Sequence, residues 1–246
     1  MLHDHLNNDF ITQNLMGPSV MLMFDELCAH NLPKSKDARI CDLGCGAGLS
    51  SLALGFACKG TIYAIDSWNT PEENRVRFDV FSCGSRIIAV QADAPKLPFD
   101  EGFFDALVCL DSYHYFGRDE GTIDKVASYV KLGGKLYLGM PGVKHNPTSS
   151  DMHVFNRSWS TEEMEYIRTL AWWKDLLSRS EAVQIDRAFE MNCHKQAWHD
   201  WLACDNDYAR SDRAACDAGA IELMCTIGIE LTRTGREHDR FVSLSP

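Results

Sequence analysis

Between residues 39 and 140, short apolar runs alternate with longer stretches whose apolar residues recur at helical spacing. Residues 39–43, 61–66, 86–92, 104–111 and 135–140 read as strands, and 47–57, 71–83 and 119–130 as helices. Pro71 suits the first turn of its helix, and Gly133-Gly134 stops the third helix. The run at 104–111 is almost continuously apolar, as a strand covered on both faces requires. This alternation predicts an α/β fold, a mostly parallel sheet with helices on both faces.

The flanks break the rhythm. Residues 1–37 read as an N-terminal helical extension. In it the Gly17-Pro18-Ser19 turn starts a helix over 20–30, with Val20, Met23, Phe24 and Leu27 on one face, and Asn31-Leu32-Pro33 ends it. Residues 142–158 are polar and read as a loop or lid. A helix is expected over 161–180, with Ser160 as N-cap and Glu163 three residues on. A strand over 182–190, helices over 195–203 and 207–219, and a last strand over 225–232 complete the pattern. The whole is expected to be one domain, 1–246: the extension 1–37, a cofactor-binding core 38–141, and a lid with the C-terminal half of the sheet, 142–246.

Composition narrows the partners. The chain has 246 residues, 45% of them hydrophobic, enough for a core without metal or disulfide staples. Its formal charge is −11 with no basic stripe, which argues against nucleic acid and anionic membranes as partners. No apolar run is long enough to span a bilayer, and the N-terminus does not read as a signal peptide, so a cytoplasmic location is expected. Ten cysteines with no CxxC spacing suggest reduced thiols and no metal site. Oligomeric state is not read from the sequence.

The stretch Ile40-Cys41-Asp42-Leu43-Gly44-Cys45-Gly46-Ala47-Gly48 stands where the first strand gives way to the first helix. In open parallel sheets ligands bind beyond the carboxyl ends of the strands. Glycines let the backbone approach a ligand, and the helix start offers free N–H groups. The spacing of Gly44, Gly46 and Gly48 is GxGxG; a dinucleotide fingerprint would put glycine at Leu49. Asp42 would repel a pyrophosphate but suits the ammonium of an amino-acid cofactor. Asp66 ends the second strand and can accept hydrogen bonds from both hydroxyls of a ribose, or serve as a turn or cap. Asp93, in Gln91-Ala92-Asp93-Ala94, can accept from an adenine amine, or serve as a turn residue before Pro95. Carboxylates at three successive strand ends carry more weight than any one of them.

In order, DLGCGAG, YAIDSW, VQADAPKLPF, FDALVCLDSYHYF and LKLGGKLYLGMPG resemble the motif series of class I S-adenosylmethionine-dependent methyltransferases, especially the small-molecule branch related to ubiquinone and menaquinone methyltransferases. The likeness covers roughly 38–142. It implies a Rossmann-like seven-stranded sheet whose last strand, 225–232 here, is antiparallel. It implies S-adenosyl-L-methionine as cofactor and methyl transfer to a small molecule. By the same resemblance Asp42, Gly44 and Gly46, with Cys45 and Gly48 in the loop, cradle the methionine part. Asp66 holds the ribose with Ser67 or Trp68 beside the adenine, Asp93 and Ala94 meet the adenine edge, and Leu110 and Asp111 border the sulfonium.

Methyl transfer is an in-line displacement, and a base is needed only where the nucleophile must lose a proton. His114 and Tyr113, just past the fourth strand, are the candidate catalytic residues; packing against the following helix is the other reading. Tyr115 is a candidate pocket residue. His145 and His153 fall in the expected lid. The Trp172-Trp173 and Trp198–Trp201 segments suit either a pocket wall or the core. Other functions stay open: non-catalytic cofactor binding, and methylation of a metalloid through thiolates. A nicotinamide oxidoreductase is disfavoured by the glycine spacing and Asp42.

Overall fold

The computed structural model describes residues 5–94 and 96–235. Seven strands, β1 (Arg39–Leu43), β2 (Thr61–Asp66), β3 (Ile87–Gln91), β4 (Phe104–Leu110), β5 (Val130–Val143), β6 (Val183–Glu190) and β7 (Met224–Arg233), form one sheet in the order β3-β2-β1-β4-β5-β7-β6. The first five pair in parallel, and β7 runs antiparallel to both β5 and β6. The expected Rossmann-like architecture with an antiparallel last strand is what the chain adopts.

Helices α1 (Asn8–Asn14) and α2 (Val20–Leu27) precede the sheet. Helices α3 (Leu49–Ala57), α4 (Pro71–Phe78), α5 (Tyr113–Phe116) and α6 (Thr122–Ser128) lie between its first five strands. After β5 come α7 (Ser149–Phe155), α8 (Thr161–Met164), α9 (Leu170–Ser178), α10 (His194–Leu202), α11 (Asp207–Asp217) and α12 (Ala220–Leu223).

Two-sided burial explains the apolar strands. Ile40, Val108 and Leu110 join a core with Met23, Phe24 and Leu27 of α2 and Leu52 of α3. Cys41, Leu43, Leu107 and Cys109 point the other way, into a core with Val126 of α6 and Trp173 and Leu177 of α9. Successive strand residues thus feed opposite cores, each fully buried large side chain contributing roughly 1.5–3 kcal/mol.

Three expectations need correction. Residues 142–158 are not one loop. β5 continues to Val143, pairing with Met224 of β7, and α7 follows, opened by a Thr148–Asp151 capping box. Pro141 is tolerated because its nitrogen faces the side where β4 has already ended, the last β4 partner being Leu110 opposite Gly139. The helix expected over 161–180 is two helices. Ser160 and Glu163 form the predicted capping box, but Thr169 caps a second start by accepting from Trp172 N. Between them the Arg168 carbonyl accepts from Val143 N, which draws the chain to the end of β5. The helix at 71 ends at Phe78, where the Asp79–Arg86 turn returns the chain to β3. The expected extents 1–4, 236–246 and Pro95 lie outside the described residues.

Candidate functional site

β1 is the place where the strand order reverses, with β2 on one side and β4 on the other. Beyond its carboxyl end lies a cavity of about 270 Å³. Gly44, Cys45 and Gly46 floor it; Asp66, Ser67 and Trp68 follow β2; Asp93 and Ala94 follow β3; Leu110, Asp111 and Ser112 follow β4. These candidates come together as a single lining.

The glycines are needed for distinct reasons. Gly44, Gly46 and Gly48 have φ of 73°, 54° and 86°, a left-handed run that folds the loop back over the strand end. A Cβ at Gly44 would strike Ser112 Oγ, so that loop and the segment after β4 touch. Gly48 does not line the cavity. A Cβ there would enter the Phe78 ring, so its glycine is required for packing α4 against the start of α3.

Asp42 also differs from expectation: its side chain is fully buried beneath the loop and does not line the cavity. Its Oδ2 accepts from Ser50 Oγ at 2.7 Å and Ser51 Oγ at 2.5 Å, both in the first turn of α3. Oδ1 is buried without a partner. Burial pushes this carboxyl up to about 6, against the two serine hydroxyls. Asp42 thus fixes the loop and offers one orphan acceptor under it.

Asp66 reaches the cavity, and its carboxylate already organises the site. Oδ2 accepts from Gly46 N at 2.9 Å, and Oδ1 accepts from Trp68 N at 2.9 Å and Asn69 N at 2.8 Å. A ribose would find this carboxylate pre-oriented.

The two catalytic candidates fall elsewhere. Tyr113 and His114 are buried in the single turn α5 and do not line the cavity. Burial, with the nearby Arg118 charge, lowers His114 to about 3, so the ring is neutral at physiological pH. Its Nδ1 has no partner, and the ring lies 4.0 Å from that of Tyr115. Burial raises the Tyr113 phenol, whose hydroxyl is also unpartnered. The same turn sends Tyr115 and Phe116 into the cavity instead. His145 sits on the surface against Asp151 at 3.1 Å, and His153 is exposed.

Sequence reasoning missed the roof. Asn14, Met16, Gly17 and Val20, from the N-terminal segment, close the cavity from above. The Gly17-Pro18 turn was the available signal: a Cβ at Gly17 would run into the Asp111 carboxylate. Asp111 has φ 56°, the one non-glycine residue among those described with positive φ. Burial and the charge of Asp212 push its carboxyl up to about 8. Of the tryptophans, Trp173, Trp198 and Trp201 are core, and Trp159 and Trp201 both donate their indole N–H to Asp212, at 2.7 and 2.8 Å.

Residues 41–138 match a family model described as a methyltransferase domain. Over 112 residues the chain is 29% identical to 27-O-demethylrifamycin SV methyltransferase of Amycolatopsis mediterranei (strain S699), covering 45% of this chain and 41% of that protein. Over 116 residues it is 30% identical to ubiquinone biosynthesis O-methyltransferase of Dechloromonas aromatica (strain RCB), covering 45% and 47%. The matches thus span less than half the length of these curated relatives. Among solved structures, geranyl diphosphate C-methyltransferase from Streptomyces coelicolor A3(2) superposes with a TM-score of 0.66 at 13% identity, over 87% of this chain and 78% of that one. Glycine loop, strand order and domain match agree on a Rossmann-like fold in which residues 41–138 match a methyltransferase domain.

Proposed function

We propose that this protein binds S-adenosylmethionine in the cavity beyond β1 and transfers its methyl group to a small-molecule acceptor, leaving S-adenosylhomocysteine. The observation that carries this reading is the convergence of Asp66, Asp93 and Asp111, from three strand ends, on one cavity floored by a left-handed glycine loop. Both curated relatives are named as methyltransferases, and the Streptomyces structure was solved with S-adenosyl-L-homocysteine bound.

Asp66 would accept the ribose hydroxyls, with Ser67 and Trp68 beside the adenine and Asp93 and Ala94 at its edge. Gly44, Cys45 and Gly46 would hold the methionine part, over the orphan Oδ1 of Asp42. Leu110 and Asp111 would border the reacting end. The cofactor, when bound, supplies a methyl group activated on a sulfonium. The chain's own share is alignment and exclusion of water, positioning alone being worth ~7–11 kcal/mol of such a barrier. Met16 and Gly17 serve the second task by covering the loop.

We further read 1–246 as one domain built round this site, acting in the cytoplasm. The charge of −11 supports a small acceptor over a nucleic acid. Among the described residues no helix is long and apolar enough to cross a membrane. A thiolate route to a metalloid has little support: nine of the ten cysteines are buried, and among them only Cys45 lines the cavity.

The test is S-adenosylhomocysteine formation with S-adenosylmethionine and pooled metabolites. Acceptor-dependent product is expected. Tight cofactor binding with no acceptor turning over would favour a non-catalytic binding protein instead.

A further inference from the structure

The end of the cavity bordered by Asp111 is acidic and has no basic residue in its described lining. No lysine, arginine or histidine is among the described lining residues; the charged ones are Asp66, Asp93 and Asp111. Asp66 and Asp93 are accounted for by ribose and adenine. Asp111 receives no hydrogen bond on its carboxylate from any described residue, and its left-handed backbone holds it against Gly17. Asp212 lies within electrostatic reach and accepts one indole N–H on each carboxylate oxygen. Glu163 adds its field to Asp212 and to Tyr115. Arg118, whose charge reaches His114, is engaged over the Tyr166 ring at 4.1 Å and on the Glu165 carbonyl.

Aromatic rings border the same end. Tyr115 is 56% exposed and Trp68 77% exposed, their centroids 6.4 Å apart, and Tyr166 lies 5.8 Å beyond Tyr115. Part-buried carboxylates beside open aromatic faces form a cation site, because ring quadrupoles and carboxylates both favour positive charge there. Burial beside Asp212 holds the Asp111 carboxyl up to about 8, and a cation seated against it would draw it to the ionised form.

Resting on the cofactor reading above, we infer that the acceptor is a small aliphatic amine, held as its ammonium between Asp111 and the Trp68–Tyr115 pair. For transfer, the ammonium gives one proton to Asp111. The freed nitrogen lone pair forms the N–C bond as the S–C bond breaks with its electrons left on sulfur. The methylated product is again an ammonium. The neutral His114 ring behind Tyr115 brings no competing charge.

The test is calorimetry on the full chain saturated with S-adenosylhomocysteine, comparing 2-(dimethylamino)ethanol, a cation at neutral pH, with its uncharged isostere 3-methylbutan-1-ol. The amine is expected to bind at least about tenfold tighter. Asp111→Asn, which tolerates the same left-handed backbone, is expected to erase that preference. Equal affinity for the two probes, or a preference for the alcohol, overturns the inference while leaving cofactor binding intact. A preference that survives Asp111→Asn overturns the assignment to Asp111. Failure of S-adenosylhomocysteine itself to bind would instead remove the cofactor reading, and this inference with it.

Discussion

The backbone N–H of Gly46 donates to Asp66 Oδ2 at 2.9 Å, tying the glycine loop after β1 to the end of β2. The carboxylate assigned to the ribose is therefore also the strut that shapes the methionine end of the cavity. Its other oxygen, held by Trp68 N and Asn69 N, fixes the turn that carries Trp68.

Replacing Asp66 should therefore disturb both halves of the cofactor site. Asp66→Ala is expected to weaken S-adenosylhomocysteine binding by on the order of 1–3 kcal/mol, through lost ribose hydrogen bonds. Titration calorimetry checks this, and unchanged affinity would remove Asp66 from the site.

Gly48 is a packing position. Its φ of 86° and the Phe78 ring against its Cα leave no room for a methyl group. Gly48→Ala is expected to cost about 2–5 kcal/mol of stability from backbone strain plus overpacking. Chemical denaturation reads this directly. Adding Phe78→Leu should recover the overpacking part and leave the backbone part.

Asp42 should make stability fall as pH rises. Its carboxyl is raised by burial from an ordinary 3.8 to about 6, so between those values the folded chain holds a proton that the unfolded chain has lost. Relative to Asp42→Asn, the wild type should lose up to about 3 kcal/mol from pH 4 to pH 6 and no more above that. Parallel denaturation curves for the two proteins test it, and a constant difference across that range would contradict it.

His114 has the opposite sign. Its folded value is lowered to about 3, so the unfolded chain takes up a proton first as pH falls below 6.5, and the stability held by the neutral ring is lost from there down to about 3. In the folded protein the ring should not titrate between pH 5 and 8. Carbon-detected NMR of its imidazole should show constant shifts, and a midpoint near 6.5 would restore it as a candidate base.

That the glycine loop, Asp66 and Asp93 would meet at one place was legible because the signals are local. Asp66 and Asp93 end strands whose apolar runs are unmistakable, and the left-handed glycines announce their spacing. Asp42 was placed one layer too high, since sequence order does not say whether a residue beside a loop points up or down. His114 was attractive for its type and position, but the single turn α5 rotates it into the core and presents Tyr115 instead. Met16 and Asp212 lie far along the chain from the motifs they join. Only tertiary packing brings the N-terminal segment over Gly46, or sets two indoles on Asp212. The lid was misread because Pro141 and Gly142 resemble breaks, although at that depth β5 has lost its β4 neighbour and Pro141 costs nothing.

One cavity should take one cofactor, and calorimetry with S-adenosylmethionine, S-adenosylhomocysteine and NAD tests that most directly. Saturable one-to-one binding of the two adenosyl compounds, weakened in Asp66→Ala, with no heat from NAD, is the predicted result. Binding of NAD with no response to either adenosyl compound would contradict it.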